Sequence, residues 1–271
     1  MNLGSGSSGN CTLLEASNGN DRRRIFIDFG FSIRRTKAHL DAIDIGLDSI
    51  DGVVLTHLDR DHFNPSWVAT LKRLGIPIHI STAHQHEARR AGIEPDSCRT
   101  FQEHIDLGGG LMAHAIALAH DDTGCMAYRF EFQSRSIGFA TDLGHVPDPL
   151  LDHFADVDVL AFESNYDRSM QLESDRPEFL KQRIMNGAGH LSNEQSLHAV
   201  RRIAAQSDLD AVMLLHLSRQ CNAPDSIHEL YAACAPELLG RLVVTEQFMP
   251  SGWIECGSAR LADPTDVRSG N

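Results

Sequence analysis

The chain has 271 residues and a formal net charge of −13, with 42% hydrophobic and 23% charged residues. This is ordinary globular composition, sufficient for a substantial core, and the acidic balance argues against a broadly basic nucleic-acid-binding face. It does not exclude a nuclease, because bound metal ions would neutralise several of the carboxylates.

Cysteine usage and hydropathy indicate a reducing, aqueous compartment. The six cysteines are scattered without a C-x-x-C spacing, which is typical of reduced thiols rather than of disulfides or a zinc knuckle. No run of about 18 apolar residues occurs, and the start, Met1–Ser5, lacks the basic and apolar regions of a signal peptide. We therefore expect a cytoplasmic protein without a membrane partner, and the sequence leaves its oligomeric state open.

Strand and helix patterns alternate in the first half of the chain. Short apolar runs predict strands at residues 10–16, 24–28, 51–55 and 76–80. Helical spacing predicts helices at residues 32–42, 65–74 and 82–91. Ser32 is expected to cap the first of these helices, and Pro65 suits the first turn of the second. A turn is expected at Ser17–Asn20.

In the second half, strands predominate at first and then alternate with helices. Strands are predicted at residues 111–119, 127–132, 136–140, 157–162, 211–215, 242–245 and 253–255. Helices are predicted at residues 149–154, 177–186, 193–205 and 224–233. The third of these helices opens with Ser192–Gln195, a capping-box pattern. We expect two sheets flanked by helices in one domain, residues 1–256, followed by a disordered polar tail, residues 257–271.

The segment after the predicted strand 51–55 is the richest in metal-binding side chains. His57, Asp59, Asp61 and His62 lie within six consecutive positions. A strand that ends in a tight turn of imidazoles and carboxylates converges N and O donors on one point, as a divalent hydrolytic metal requires. A polar loop with coincidental histidines is the alternative, but so dense a cluster favours a metal site.

Three further candidate ligands each follow a predicted strand, namely His120, Asp142 and His216. Strand ends of one sheet gather side chains at a common edge, so positions far apart in sequence can meet there. The chain has fifteen histidines, and any single placement could be chance. The joint placement predicts one shared site.

The candidate ligands each follow a predicted strand, and along the chain they come as a cluster of His and Asp, then one His, one Asp and one His. In both respects the chain resembles the metallo-β-lactamase superfamily. The flanking sequence is most similar to the YycJ/WalJ group of exonucleases. The similar segments, between Leu3 and about Asn222, are Leu3–Cys11, Ile27–Gly30, Val54–His62, Ala140–Gly144, Phe162–Asn165 and Gly189–Gln195. The resemblance implies an α/β fold, the αββα four-layer sandwich, with a two-metal site at the end where the sheets meet.

The resemblance also implies ligands for two divalent ions, Zn²⁺ or Mn²⁺. The first ion would be held by His57, Asp59 and His120, the second by Asp61, His62 and His216, and Asp142 would bridge both. Most of the superfamily has histidine where this chain has Asp59; a carboxylate hardens the ligand set and tilts the preference toward manganese. Tyr166 is a second departure, at a position where the group often has histidine.

A mechanism follows from the implied pair of ions. Held about 3.5–4 Å apart, they would generate a hydroxide at neutral pH that attacks phosphorus or a carbonyl carbon. Asp61 is the candidate acceptor of the water's proton. His190 precedes a predicted helix, and a comparable loop in RNase Z-like relatives makes it the candidate acid for the leaving oxygen and a candidate phosphate ligand. The alternative is that His190 only packs against the helix start.

The glycine-rich segment Gly4–Asn10 is a further candidate for substrate binding. Its glycines let the backbone approach a ligand closely, and Ser7, Ser8 and Asn10 offer polar groups to a phosphate. A flexible N-terminal segment has the same composition. The resemblance favours a structured loop near the site.

Three functions remain open on the sequence. The first is a metal-dependent phosphodiesterase or exonuclease acting on DNA or RNA, favoured by the resemblance, His190 and the glycine-rich segment. The second is a small-molecule hydrolase that cleaves a cyclic phosphodiester, lactone or thioester, favoured by the acidic net charge. The third is a metal-binding scaffold inactivated through Asp59 or Tyr166. The fold alone does not separate them, because the superfamily carries many chemistries.

Overall fold

Two mixed β-sheets form the centre of the molecule in the computed structural model, which describes residues 1–19 and 21–257. The first sheet has six strands, which are β1 Asn2–Gly4, β2 Cys11–Asn18, β3 Asp21–Ile27, β4 Gly52–Val54, β5 Ile78–Ser81 and β6 Cys98–Phe101. They lie side by side in chain order. β1 to β3 pair antiparallel, and β3 to β6 pair parallel.

The second sheet has seven strands in the described ranges. They are β7 His104–Asp106, β8 Leu111–Leu118, β9 Cys125–Phe132, β10 Arg135–Ala140, β11 Val159–Glu163, β12 Ala211–Leu215 and β13 Leu242–Val244. These strands also follow chain order. β7 to β10 pair antiparallel, and β10 to β13 pair parallel.

Helices cover the outer faces of both sheets. Those of the described residues are α1 Ile33–Asp41, α2 Val68–Leu74, α3 Gln85–Arg90, α4 Asp148–His153, α5 Arg168–Glu173, α6 Glu178–Met185, α7 Asn193–Ala204 and α8 Pro224–Cys234. Side chains of α1 to α3 share a buried cluster with the first sheet, and those of α4, α7 and α8 share one with the second.

Neighbouring residues along the central strands face different layers. In β4, Val53 packs with the outer helices and Val54 packs between the sheets. In β12, Val212 and Leu214 face the outer helices, while Met213 faces the other sheet. Both faces of these strands are buried, so they read as continuous apolar runs in the sequence. The order of layers is helix, sheet, sheet, helix, which is the predicted αββα sandwich.

Most predicted elements are present, with their ends shifted by a few residues. Ser32 caps α1 by accepting the N–H of Arg35, and Ser192 caps α7 in a capping box with Gln195, as predicted. The hairpin between β2 and β3 is tighter than expected. Its strands pair as far as Asn18 and Asp21, and the polar residues at the end of β2 and the start of β3 are exposed.

The differences from the predicted elements have physical reasons. β1, β6, β7 and α5 were not predicted, because they are short. In addition, β6 and β7 consist largely of exposed polar residues and have few apolar ones. The predicted strand 253–255 is wrong: it follows Gly252, and Trp253 is 40% exposed. The tail predicted at 257–271 lies outside the described residues apart from Gly257.

The cysteines form no disulfide bonds in the part of the chain that the structure describes. All six are free, as their spacing predicted. In the part of the chain that the structure describes, no helix has the length and apolar character needed to cross a bilayer.

Candidate metal centre

The strand ends of the two sheets bring the predicted metal-type residues together. Each of them belongs to a group of at least three side chains whose ligand atoms lie within 4.8 Å of one another. The loop after β4 contributes four of them, and the turns after β8, β10 and β12 contribute one each. These residues are His57, Asp59, Asp61, His62, His120, Asp142 and His216.

Asp142 lies at the centre of the cluster. It is fully buried, and its Oδ2 atom lies 2.5 Å from His62 Nε2 and 3.6 Å from His57 Nε2. Its Oδ1 atom faces His216 Nδ1 and lies 3.3 Å from His190 Nδ1. Burial raises the pKa of the Asp142 carboxyl, but the surrounding imidazoles outweigh this effect and hold the pKa well below its usual range. Asp142 is therefore an ionised carboxylate shared by both halves of the cluster.

The turns that carry these side chains have left-handed backbone conformations. Asp28, Asp142 and His216 follow β3, β10 and β12 with φ values of 62°, 56° and 57°. An L-residue in this region costs on the order of 1–3 kcal/mol, and such conformations concentrate at functional sites. The reversal at each strand end directs the side chain back toward the space between the sheets.

Several buried atoms of the cluster have no hydrogen-bond partner among the described residues. They are His57 Nε2, both carboxylate oxygens of Asp142 and both ring nitrogens of His216. An unsatisfied buried polar atom costs about 1–3 kcal/mol, so this many in one place require another partner. Imidazole nitrogens and carboxylate oxygens that converge on one place in this way fit divalent cations such as zinc or manganese.

Asp28 orients two of the ligand-type histidines from behind. Its carboxylate accepts the backbone N–H of Thr56 at 2.8 Å, the Thr56 hydroxyl at 2.9 Å and His62 Nδ1 at 2.7 Å. Thr56 Oγ1 lies 2.9 Å from His57 Nδ1. These bonds leave the Nε2 atoms of both rings facing the cluster. Sequence reasoning missed Asp28, although it has the position that singled out Asp142, directly after a buried strand.

His57 is neutral, and His57 and His120 are both oriented as metal ligands need to be. Burial, reinforced by the neighbouring His62, lowers the pKa of His57 well below its usual range. His120 Nδ1 donates to the Gly189 carbonyl at 3.1 Å, which leaves its Nε2 for the cluster. Asp59 is more open, with 55% of its side chain exposed, and its Oδ2 lies 4.0 Å from His57 Nε2.

Asp61 lies against the opposite histidines. Its Oδ2 is 3.4 Å from His216 Nε2 and 3.8 Å from His62 Nε2. Burial raises the pKa of Asp61, but the two histidines outweigh it and lower the pKa below its usual range. The carboxylate is ionised and able to bind a cation or accept a proton.

His190 is held by a second carboxylate, Glu163. Glu163 Oε1 accepts from His190 Nδ1 at 2.7 Å, and Oε2 accepts the N–H groups of Leu143 at 2.8 Å and Leu191 at 3.2 Å. Burial lowers the pKa of His190, but Glu163 and Asp142 outweigh it and raise the pKa to about 10. Glu163 thus ties the Asp142 turn to the His190 turn and leaves His190 Nε2 as the free ring nitrogen. The sequence analysis did not identify Glu163.

Two of the N–H groups at the start of the helix after His190 have partners within the protein. The Asn193 N–H donates to the Tyr166 carbonyl, and the Gln195 N–H donates to the capping Ser192 hydroxyl. Tyr166 itself is buried in a small cluster with residues of α6, away from the ligand-type residues. The capping box and a neighbouring carbonyl therefore occupy the N–H groups of Gln195 and Asn193, which are not available to an anion.

The glycine-rich segment is a structured loop, as favoured by the resemblance. Asn10 organises it: Oδ1 accepts from Ser5 Oγ and the Gly6 N–H at 2.8 Å each, and Nδ2 lies 2.9 Å from His62 Nε2. Asn10 is buried and does not line the cleft over the cluster, and the Ser8 side chain does not line it either. Three residues of this loop were predicted to bind substrate, and only Ser7 reaches the cleft. Asn10 does not, because its side chain points inward and holds the loop.

A cleft of about 350 Å³ opens over the cluster. One wall comes from α6 and the segment before it, which sequence reasoning did not connect to the site. Leu180, Arg183 and Ile184 have the spacing of one helix face. The residues of this wall are Arg176, Leu180, Arg183 and Ile184, and the cleft is also lined by Ser7, Asn165, Ser218 and Gln220.

Comparison with known proteins agrees with this geometry. Residues 23–216 match the family described as the beta-lactamase superfamily domain. An exodeoxyribonuclease YycJ of Bacillus anthracis is 26% identical over 223 residues, which cover 81% of this chain and 82% of that protein. An exodeoxyribonuclease WalJ of Streptococcus pneumoniae is 28% identical over 234 residues, which cover 83% and 84%.

Solved structures share the fold at low sequence identity. The metallo-β-lactamase fold protein YhfI of Bacillus subtilis aligns with a TM-score of 0.64 and 15% identity, covering 92% of this chain and 95% of that one. The short form of human tRNase Z aligns with a TM-score of 0.61 and 16% identity, covering 92% and 96%.

Proposed function

We propose that this chain, which belongs to the β-lactamase superfamily and is a hydrolase of the metallo-β-lactamase fold, cleaves phosphodiester bonds of DNA or RNA from an end. Two relatives similar over more than 80% of this chain are named exodeoxyribonucleases. The observation that carries the proposal is the buried Asp142 carboxylate between two sets of converging imidazole and carboxylate donors, beneath an open cleft.

The donors in the cluster are numerous enough to hold two divalent ions. The first ion would take His57, Asp59 and His120, the second would take Asp61, His62 and His216, and Asp142 would reach both. When bound, such ions polarise a phosphoryl oxygen and lower the pKa of water. Asp59 supplies a hard oxygen donor, so we propose that Mn²⁺ serves at least as well as Zn²⁺.

The protein's own groups would move the protons of the reaction. Asp61 is ionised and faces the cleft, so it can accept the proton of the attacking water. His190 lines the cleft with Nδ1 held by Glu163, so its Nε2 can donate a proton to the leaving oxygen. General acid–base assistance of this kind contributes about 10²–10⁴-fold to a rate.

A small-molecule hydrolase is the second candidate. The cleft volume of about 350 Å³ lies at the lower end of the range for small-molecule sites, and the net charge is −13. Both observations fit a compact diester, lactone or thioester as well as the end of a nucleic acid. An inactive scaffold is the third candidate, although Tyr166 lies in the core rather than in the cleft.

One assay separates these candidates. Protein reconstituted with Mn²⁺ is incubated with labelled single-stranded DNA, single-stranded RNA and bis(p-nitrophenyl) phosphate, with Asp142→Asn as the control for metal-dependent turnover. We expect loss of terminal nucleotides from a polymer together with cleavage of the small diester. Cleavage of the small diester alone would favour the small-molecule hydrolase. No turnover by a protein with both ions bound would favour the scaffold.

A further inference from the structure

Arg176, in the segment between α5 and α6, is fixed on the wall of the cleft by three side chains. Its Nε donates to Gln220 Oε1 at 3.1 Å, Nη1 to Gln171 Oε1 at 3.0 Å, and Nη2 to Ser218 Oγ at 3.1 Å. Gln171 and Ser218 are buried. A long cationic side chain that would be mobile in solvent therefore has one orientation before any ligand arrives.

The charge of Arg176 is not neutralised by its partners. All three acceptors are neutral, and within residues 1–19 and 21–257 none of the ion pairs includes Arg176. Arg183 lies on the same wall but is paired with Asp121. On a chain with a net charge of −13, an unpaired and immobilised guanidinium at the cleft indicates an anionic ligand.

The remaining donors of Arg176 suit a phosphate. A guanidinium has five N–H groups, and three are used, which leaves two, one on each Nη atom. Two such donors in one plane match the oxygens of a phosphodiester. Ser218, which holds Nη2, lies two positions after the ligand-type His216, so the guanidinium is tied to the turn that carries part of the metal cluster.

We propose that Arg176 binds the phosphate next to the scissile one in a single-stranded nucleic acid. The inference rests on the proposed function and extends it: the metal cluster holds the bond that is cut, and Arg176 holds the neighbouring linkage. A small diester has no such second phosphate. The subsite therefore makes the protein prefer an oligonucleotide over an isolated diester.

The test is a cycle that combines Arg176→Gln with a substrate change. The Mn²⁺-loaded protein is assayed for kcat/KM on single-stranded DNA in which the linkage beside the scissile one is a normal phosphodiester or an uncharged methylphosphonate, placed on either side in turn. We expect either change alone to lower kcat/KM by about 10- to 100-fold, the range of a charge-assisted hydrogen-bonded contact. Because both changes remove the same contact, we expect the two together to cost no more than one.

Lys181→Gln is the charge-matched control. Lys181 lies on α6 and donates to the Leu172 carbonyl, and it does not line the cleft. This variant has the same net charge as Arg176→Gln and should remain sensitive to the methylphosphonate. Multiplicative losses in the Arg176 cycle, or an equal loss on bis(p-nitrophenyl) phosphate, would overturn the subsite while leaving the nuclease proposal intact. A wild-type protein that cleaves the small diester but no oligonucleotide would overturn both.

Discussion

Asp142 is the residue on which both halves of the metal cluster depend. Its carboxylate approaches His57, His62, His190 and His216, which belong to both halves of the cluster. Under the proposed assignment the carboxylate would serve both cations, so neither set of neighbours could replace it.

We expect about two divalent ions per chain after reconstitution, and the largest loss of bound metal in Asp142→Ala. Elemental analysis of the protein after gel filtration measures this directly. Asp121→Asn is the control, because that carboxylate lies at the edge of the cluster and is engaged by Arg183. Wild-type protein that stays metal-free would remove the basis of the whole site.

Asp59 is expected to set the choice of metal. It replaces a neutral imidazole by a hard, negatively charged donor, so activity with Mn²⁺ should equal or exceed activity with Zn²⁺. Asp59→His should shift the preference back toward zinc. Turnover of bis(p-nitrophenyl) phosphate across a series of metals measures the preference, and an unchanged profile would show that Asp59 is not a ligand.

His190 separates proton transfer from metal binding. If it protonates the leaving oxygen, His190→Ala should lose about 10²–10⁴-fold in turnover on DNA, where the leaving group needs a proton. Bis(p-nitrophenyl) phosphate releases a nitrophenolate, which needs none, so it should be affected much less.

The same variant has a structural control. Metal content of His190→Ala should match the wild type, since Glu163 keeps its bonds to the N–H groups of Leu143 and Leu191. The melting temperature should fall, because the buried Glu163 carboxylate loses its bond to His190. A phosphate-binding role would instead raise KM with a smaller change in kcat. Equal losses on both substrates at wild-type metal content would contradict the acid role.

At the scale of elements, the N-terminal loop supports the cluster from the side. Asn10 accepts the Ser5 hydroxyl and the Gly6 N–H, and its amide contacts His62. Asn10→Ala strands these buried donors, at a cost of about 1–3 kcal/mol. We expect a lower melting temperature and weaker binding of the ion nearest His62, both measured by calorimetry. Ser8→Ala, on the exposed side of the same loop, should change neither; equal effects would show that Asn10 has no special role.

The strand-end ligands were predictable from the sequence because a buried strand has a plain signature. A continuous apolar run followed by His or Asp identifies both the strand and the position of its end, as at His120, Asp142 and His216. Asp28 and Glu163 have the same kind of position. They were not identified, because their importance lies in which histidine each one orients, and that depends on how two turns pack together.

The wall formed by α6 could not be predicted at all. Its residues resemble any amphipathic surface helix, and the sequence does not specify where such a helix docks. The most basic run of the sequence, residues 22–24, lies elsewhere, and its three arginines pair with Glu15 and Asp51. Arg176, which has no carboxylate partner among the described ion pairs, is an isolated arginine in the sequence, and only its position in the cleft indicates a role.

At the scale of the whole molecule, the metal cluster joins the two sheets. Asp28 and His57 come from turns of the first sheet, whereas His120, Asp142 and His216 come from turns of the second. Between the sheets lies an apolar cluster, which is crossed by directed bonds such as that from the Tyr128 hydroxyl to the Leu55 carbonyl at 2.6 Å. The ligand-type residues stand at its edge and come from both sheets. Bound cations would therefore act as directional links across the sandwich.

Metal loading should then stabilise the entire fold and not only the site. A ligand that binds only the folded state adds about 4 kcal/mol when its concentration is 1,000 times Kd. At roughly 2–4 °C per kcal/mol for a chain of this size, Mn²⁺ should raise the melting temperature by about 8–16 °C over protein in EDTA. Asp142→Asn should keep its secondary structure but lose most of this metal-dependent increase.

A comparison of two probes tests whether the sheets melt together. The fluorescence of Trp67 reports on the layer of the first sheet, and circular dichroism reports on the whole fold. If one ion were lost locally while the other still held the sheets, the two melting curves would differ. Coincident transitions that shift together with Mn²⁺ are expected, because ligands from both sheets share Asp142.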